Sequence, residues 1–354
     1  MDFTIDSEQR ALAQAVREMA ARHPSGPSRT GAGPKPHNAD LWAAMADTGL
    51  LGLPFGEEVG GFGATAVEVF LAAGELGQAG LSTAYPDALL AAQLLADAGD
   101  DLLSSVIGGE ALVLPALAEP LRAFAPVPGG VQATQSGEGW VLEGAKGPIP
   151  FGESATHLIV SARAEEGTVL VVVDAPQVTD GVLGSGQRGR LLLSGAAAAE
   201  SLNRALALAS VALAGQALGA MESAMRLTTD YLKTRKQFGV PLAAFQALTH
   251  RAADMYVSLE LARSSAMFLA MSVAEGDTDP ATVSRARVVL SRTGRHIGQE
   301  AIQLHGGIGM TAEYAVGHLT ALLTAVEHTY GDVTHHVSSL AAQIEGHDTV
   351  RLLG

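Results

Sequence analysis

The chain has 354 residues, with 37 acidic against 22 basic side chains and a formal net charge of -15. The acidic balance argues against nucleic acid as a partner, since no basic excess exists to displace counterions from phosphates. The absence of cysteine excludes disulfides and thiolate metal sites and fits a reducing cytoplasm.

No signal peptide is expected, because Met1 to Asp6 carry neither a basic segment nor an apolar run. Asp6 followed by Gln9 is a capping-box pattern, and Leu12, Val16 and Met19 share one helical face, so a helix is expected from residue 7. Pro24 to Pro36 reads as a loop. Asp40 to Gly49, Ala64 to Gly77 and Ala84 to Ala98 read as helices, with a Gly-rich loop from Gly56 to Gly63. Near Ala111 the period changes. Val113 to Leu117 is extended, Val131 to Thr134 and Trp140 to Leu142 form one predicted hairpin, and Leu158 to Ala162 with Thr168 to Val173 a second. Gly184-Ser185-Gly186-Gln187-Arg188-Gly189 matches G-x-G-x-x-G, but extended chain follows it, so it reads as a surface turn and not a dinucleotide loop.

Helices return at Ser201. The longest uncharged apolar stretch, Ala205 to Met221, contains Ser210, Gly215, Gln216 and Gly219 and is short for a bilayer span of about 20 residues. A buried small-residue helix is expected, and no membrane. Pro241 is placed at the first position of the next helix, with Phe245, Leu248, Ala252, Met255, Leu259 and Ala262 on one face and Gly276 as its stop. Asp279-Pro280 opens a third helix ending at Gly306-Gly307, and Val316 to Thr329 and Val333 to Ile344 are two more. Three domains are expected: helical over 1–112, β over 113–200 and helical over 201–354.

Three motifs carry chemical possibilities. His328, His335 and His336 with Asp332 lack a metal-protease spacing, and Gly331 interrupts the helix that would align them, so no metal site is expected. Arg235 ends a helix after Tyr231. Its planar fork suits a pyrophosphate, Gln237 adds a neutral donor, and Phe238 can pack on a ring system. Gln303 to Gly309 is a double-glycine turn that lets a ligand approach the backbone.

Taken together, these segments resemble the acyl-CoA dehydrogenase family over nearly the whole chain. Met1-Asp2-Phe3 with Ser7-Glu8-Gln9, Leu41-Trp42 through Gly63, Arg235 to Leu242 with Phe245-Gln246, and Gln303 to Gly309 with Glu313-Tyr314 are similar to its motifs in order and spacing. The resemblance implies a mainly α fold: an N-terminal helical domain, a β-barrel-like middle domain and a C-terminal four-helix bundle. It also implies that Arg235, Gln237, Phe238, Phe245, Gln246, Gln303, Leu304, Gly306 and Gly307 contact the FAD of a neighbouring subunit.

The chain departs from the family where chemistry is done. The family's T-E-P-x-a-G-S-D segment reads Ala118-Glu119-Pro120-Leu121-Arg122-Ala123-Phe124-Ala125. Its K-W-I-T strand reads Lys146-Gly147-Pro148-Ile149-Pro150, and proline has no N–H to offer a flavin. The two locations of the family's carboxylate base hold Ala209 and Tyr330, with Glu327 and Asp332 as displaced alternatives. The resemblance therefore implies a base-less subunit of a heteromeric (α2β2) dehydrogenase, similar to those of actinobacterial steroid-CoA breakdown. FAD would be shared with a paralogous partner that holds the acyl-CoA, and an electron-transfer flavoprotein would be the acceptor. A self-sufficient homomeric flavoenzyme, either a displaced-base dehydrogenase or a monooxygenase, and a purely structural paralogue are the alternatives.

Overall fold

The computed structural model describes residues 5–24, 37–122, 124–127, 129–165, 167–311 and 313–344. The loop expected over Pro24 to Pro36 lies, beyond Pro24, outside the described residues, as does the Met1-Asp2-Phe3 start.

Five helices open the chain: α1 (Ser7–Arg22), α2 (Ala39–Asp47), α3 (Ala66–Gln78), α4 (Tyr85–Ala98) and α5 (Leu102–Ile107). The capping box of α1 is made in both directions, Asp6 accepting from the Gln9 N–H and Gln9 from the Asp6 N–H. Thr65 and Glu68 make the same reciprocal cap on α3. Helix α4 starts with Pro86 in its first turn and stops at Gly99. Ten of its 14 residues are buried, so it is a core helix with no solvent face to speak of.

The middle region contains β1 (Val113–Ala116), β2 (Gln132–Ser136), β3 (Gly139–Glu143), β4 (His157–Ala164), β5 (Gly167–Asp174), β6 (Val178–Thr179), β7 (Val182–Leu183) and β8 (Gln187–Ser194). Both expected hairpins form, β2 with β3 and β4 with β5. The pairings β4-β2-β3-β8-β5 return to β4, closing a small barrel, with β1 added parallel to β4. The G-x-G-x-x-G stretch runs from a turn into β8, so its glycines open a strand and not a helix. Lys146, which bridges Leu183 of β7, is 1% exposed. Its ammonium donates to Leu117 O and to Ser161 Oγ, each at 3.1 Å, and faces Glu119 at 3.5 Å. Burial pulls its pKa down to about 8, against the opposing pull of Glu119. Glu119 also accepts the N–H groups of Gly129, Gly130 and Val131, so this pair ties those three residues and Leu117 together.

Helix α6 (Gly195–Thr234) begins ahead of the expected Ser201, because Gly195 to Ala199 simply continue it and Ser194 makes no side-chain cap that would mark a start. Two short strands follow, β9 (Lys236–Gln237) and β10 (Val240–Pro241), then α7 (Gln246–Ala274), α8 (Pro280–His305), α9 (Ala315–His328) and α10 (Val333–Ala341). Pro241 does not open α7. It pairs with Lys236 in a ribbon, a single 3-10 turn follows, and α7 starts with Phe245 as its N-cap. The ribbon turns on Phe238 and Gly239, both at positive φ (52° and 83°), the arrangement that matches strand twist in two-residue hairpins.

Helices α3 and α6 approach to backbone contact. A Cβ on Gly219 would stand 2.0 Å from Gly74 O, so the crossing requires glycine there. Both α6 and α7 are long and apolar enough to cross a bilayer, but 89% of the apolar window of α6 is buried inside the fold. Its apolarity is consumed by packing against α3, α4, α7, α8 and α9.

Candidate functional site

The two glycine- and arginine-bearing turns come together in space. Tyr231, one turn before the end of α6, stacks on His305, the last residue of α8, with ring centroids 4.5 Å apart. This places the Arg235 ribbon beside the Gln303 to Gly309 turn. The Arg235 N–H donates to Tyr231 O, and its carbonyl accepts from Leu242 N–H, both at 2.8 Å, which closes the ribbon. Gly306 ends α8 at positive φ (64°), a cap that glycine takes without steric cost.

Arg235, Lys236, Gln237, Phe238, Gln246, Gln303, Gly306 and Gly307 are all exposed, and Phe245 is half-buried. Among the described residues, no hydrogen bond or ion pair engages the side chains of Arg235, Gln237, Gln246 or Gln303. By contrast, Arg17, Arg190, Arg204, Arg251, Arg263 and Arg295 are each paired with a carboxylate. Phe238 is 92% exposed on its left-handed backbone and touches Phe245 only edge-on, at 6.2 Å. One expected contact residue behaves differently. The Leu304 side chain is 5% exposed and packs into the bundle core, because it points inward from the last turn of α8, so it supports the turn from beneath.

The location expected for the base is built in the opposite way. Tyr330 sits in the α9–α10 connection at positive φ (56°), and its hydroxyl donates to Asp87 Oδ1 in the first turn of α4. Asp87 is buried, and burial pushes its pKa up to about 6 although the Tyr330 hydrogen bond pulls it down. The Tyr330 hydroxyl is in turn pushed up, by burial first and then by the Asp87 carboxylate. Phe124 packs on Tyr330 at 6.1 Å and edge-on against His335 at 5.3 Å, so a ring stands where the family segment carries Gly-Ser-Asp. Arg287 of α8, 1% exposed, donates to Val326 O at 2.8 Å and Thr329 O at 2.7 Å, tying down the end of α9 just before Tyr330. Burial lowers its pKa to about 10, which leaves it charged at neutral pH. Ala209 is fully buried in α6.

The displaced carboxylates are committed elsewhere. Glu327 is ion-paired with Arg295, and Asp332 caps α10 by accepting the His335 N–H at 2.9 Å. His336 is buried with Nδ1 3.1 Å from Ser284 Oγ, and His328 is exposed. Burial together with Arg287 and His335 lowers the His336 pKa to about 3, so the ring is neutral.

The segment that would face a flavin ring in this chain has no donor to give. Gly147 N–H donates to Ala118 O at 2.9 Å and Ile149 N–H to Gly181 O at 2.8 Å, while Pro148 and Pro150 have none. The residues around Arg235 and Gln303 thus fit an anionic cofactor approaching from outside, and the residues at 147–150 do not fit a flavin ring held by this chain.

Sequence reasoning did not single out Asp87 or Arg287. Asp87 reads as an ordinary acidic residue in a helix's first turn, and its partner is 243 positions away.

Comparisons with known proteins agree with this architecture. A model of the acyl-CoA dehydrogenase N-terminal domain matches residues 6–103, and one of the C-terminal domain matches residues 199–345. Acyl-CoA dehydrogenase FadE27 of Mycobacterium tuberculosis is 27% identical, covering 86% of this chain and 88% of its own. Among solved structures, a variant of the Tcur3481-Tcur3483 steroid ACAD is 28% identical with a TM-score of 0.85, covering 96% of this chain and 98% of that one. The ChsE4-ChsE5 complex from Mycobacterium tuberculosis, 23% identical over 99% of this chain and 100% of that chain with a TM-score of 0.83, shares the fold.

Proposed function

The chain belongs to the acyl-CoA dehydrogenase family, and from that premise we propose that it is the base-less subunit of a heteromeric FAD-dependent dehydrogenase. The observation that carries the reading is the separation of its two regions. Arg287, which anchors the Tyr330 segment, and His305, which carries the glycine turn, lie 18 residues apart on α8. At 1.5 Å per residue that is about 27 Å. The exposed turns are thus remote from the Tyr330 segment, and in the proposed assembly they serve a cofactor held outside this chain. They offer Arg235 and Gln237 to a pyrophosphate and Gln303, Gly306 and Gly307 to the far end of a cofactor seated on a paralogous subunit, most simply in an α2β2 heterotetramer. Phe238, Phe245 and Gln246 face the same cofactor, with Leu304 holding the turn. In such an assembly FAD supplies the hydride acceptor for α,β-desaturation of an acyl-CoA thioester.

The interior supports the complementary half of the reading. Tyr330, hydrogen-bonded to Asp87 and covered by Phe124, holds the place of the base. A phenol with a raised pKa cannot remove an α-proton at neutral pH. Asp87, the carboxylate at this location, is engaged by the Tyr330 hydroxyl, and in the proposed assembly the partner supplies the free carboxylate and the acyl pocket. The outer face of α7 fits a partner as well: Val257, Leu261 and Phe268 lie along it, 67%, 54% and 42% exposed. A steroid-CoA thioester is the proposed substrate class, on the likeness to the steroid ACAD; an electron-transfer flavoprotein as acceptor and a cytoplasmic location follow from the family pattern.

The test is the visible absorption spectrum of the chain purified alone and then co-purified with a paralogous dehydrogenase subunit. A colourless chain and a yellow complex with FAD near one per heterodimer support the reading. A chain that is yellow by itself holds its own flavin and sinks it.

A further inference from the structure

The ends of α6 and α8 and the start of α9 meet in a three-ring cluster. His305 lies 4.5 Å from Tyr231 at an interplanar angle of 27° and 4.9 Å from Tyr314 at 50°; Tyr231 and Tyr314 are 6.3 Å apart at 66°. Each ring belongs to a different element of the exposed surface. Tyr231 precedes Arg235 by one turn and accepts its N–H. His305 sits between Gln303 and Gly306, 3% exposed, with Nδ1 2.7 Å from Ala301 O. Tyr314 is the N-cap residue of α9 and closes the turn from its far side. Burial lowers the His305 pKa, so the ring stacks as a neutral imidazole at pH 7.

Two turns on different helices can hold one anionic ligand only if their spacing is fixed before it arrives. Arg235 and Gln303 themselves make no contact that would set that spacing, since both side chains are exposed and unpaired among the described residues. The ring cluster is the packed element between them. We infer that Tyr231, His305 and Tyr314 are positioning residues that hold the Arg235 ribbon and the Gln303 turn in register for the cofactor. This inference rests on the proposed cofactor role, and it assigns the rings no contact with the cofactor.

The test is a double-mutant cycle on the co-purified complex, stripped of flavin and titrated with FAD. Arg235→Ala reads the cofactor role itself and is expected to weaken FAD about tenfold. His305→Ala is expected to weaken it by a similar factor, His305→Phe, which keeps a ring in the stack, by no more than about twofold, and the Arg235→Ala/His305→Ala double variant no further than Arg235→Ala alone. That non-additivity is what general destabilisation would not produce. Tyr314→Leu replaces His305→Ala in the cycle if the latter does not fold. Additive losses, or a His305→Ala complex with unchanged FAD affinity while Arg235→Ala is impaired, overturn the positioning role and leave the cofactor role standing. An Arg235→Ala complex with unchanged FAD affinity overturns both.

Discussion

The surface around Arg235 and the interior around Asp87 follow opposite rules. At the surface, polar side chains are exposed and unpaired, and Phe238 is held out on a left-handed backbone. In the interior, Tyr330 and Asp87 bond each other, and Arg287 spans two helix-end carbonyls. An unpaired exposed polar group adds little to the stability of the monomer, so a substitution there is expected to show in binding and not in folding. A buried paired group stabilises the monomer whether or not anything binds. The difference separates stability from cofactor function within one chain, and substitutions in the two regions are expected to report on different quantities.

The largest expected effect is on stability. Arg287→Ala removes a buried charge and leaves Val326 O and Thr329 O without their donor. A loss of about 2–5 kcal/mol in urea unfolding is expected, from the two orphaned acceptors and the cavity left behind; a change under about 1 kcal/mol would mean the α9 end is held by other contacts. Next is a pH effect. Asp87 titrates at the ordinary carboxylate value of 3.8 when unfolded and at about 6 when folded. As pH rises from about 4 to 6 the unfolded chain releases this proton while the folded chain keeps it, so the group's contribution falls by about 3 kcal/mol over that window. His336 has the opposite sign, because its folded pKa is depressed and stability is lost as pH drops below its ordinary range. The difference between wild type and Asp87→Asn isolates the first slope, and parallel stability curves from pH 4 to 7 would contradict it.

Smaller effects sharpen the contrast. Tyr330→Phe deletes the donor to Asp87 and is expected to cost about 1–3 kcal/mol in stability, with turnover of the complex nearly unchanged. Loss of turnover with FAD retained would make Tyr330 a participant in the chemistry. Arg235→Ala is expected to shift the unfolding midpoint of the chain least, within about 0.5 kcal/mol, while lowering the flavin content of the complex. A stability loss comparable to that of Tyr330→Phe would place Arg235 in the structural half of the molecule.

Local patterns in the sequence determined the elements. The Asp6–Gln9 cap, the Asp279-Pro280 helix start and both barrel hairpins follow from neighbours a few residues apart, and each is where the pattern puts it. The exposed surface was legible for the same reason, since Arg235 to Gly239 and Gln303 to Gly307 are contiguous segments at helix ends. Reading failed where local preference yields to long-range geometry. Pro241 looks like a helix start, but pairing with Lys236 makes it a strand. Leu304 falls inside a ligand-facing motif, but its direction on α8 sends it to the core. Asp87 and Tyr330 become partners only when α4 packs beneath the α9–α10 connection, and Tyr231 and His305 stack only because two helices end side by side. Capping, turns and periodicity act over one or two turns of chain and are written in the sequence. Pairings between distant residues depend on how whole helices pack, and only the tertiary structure decides them.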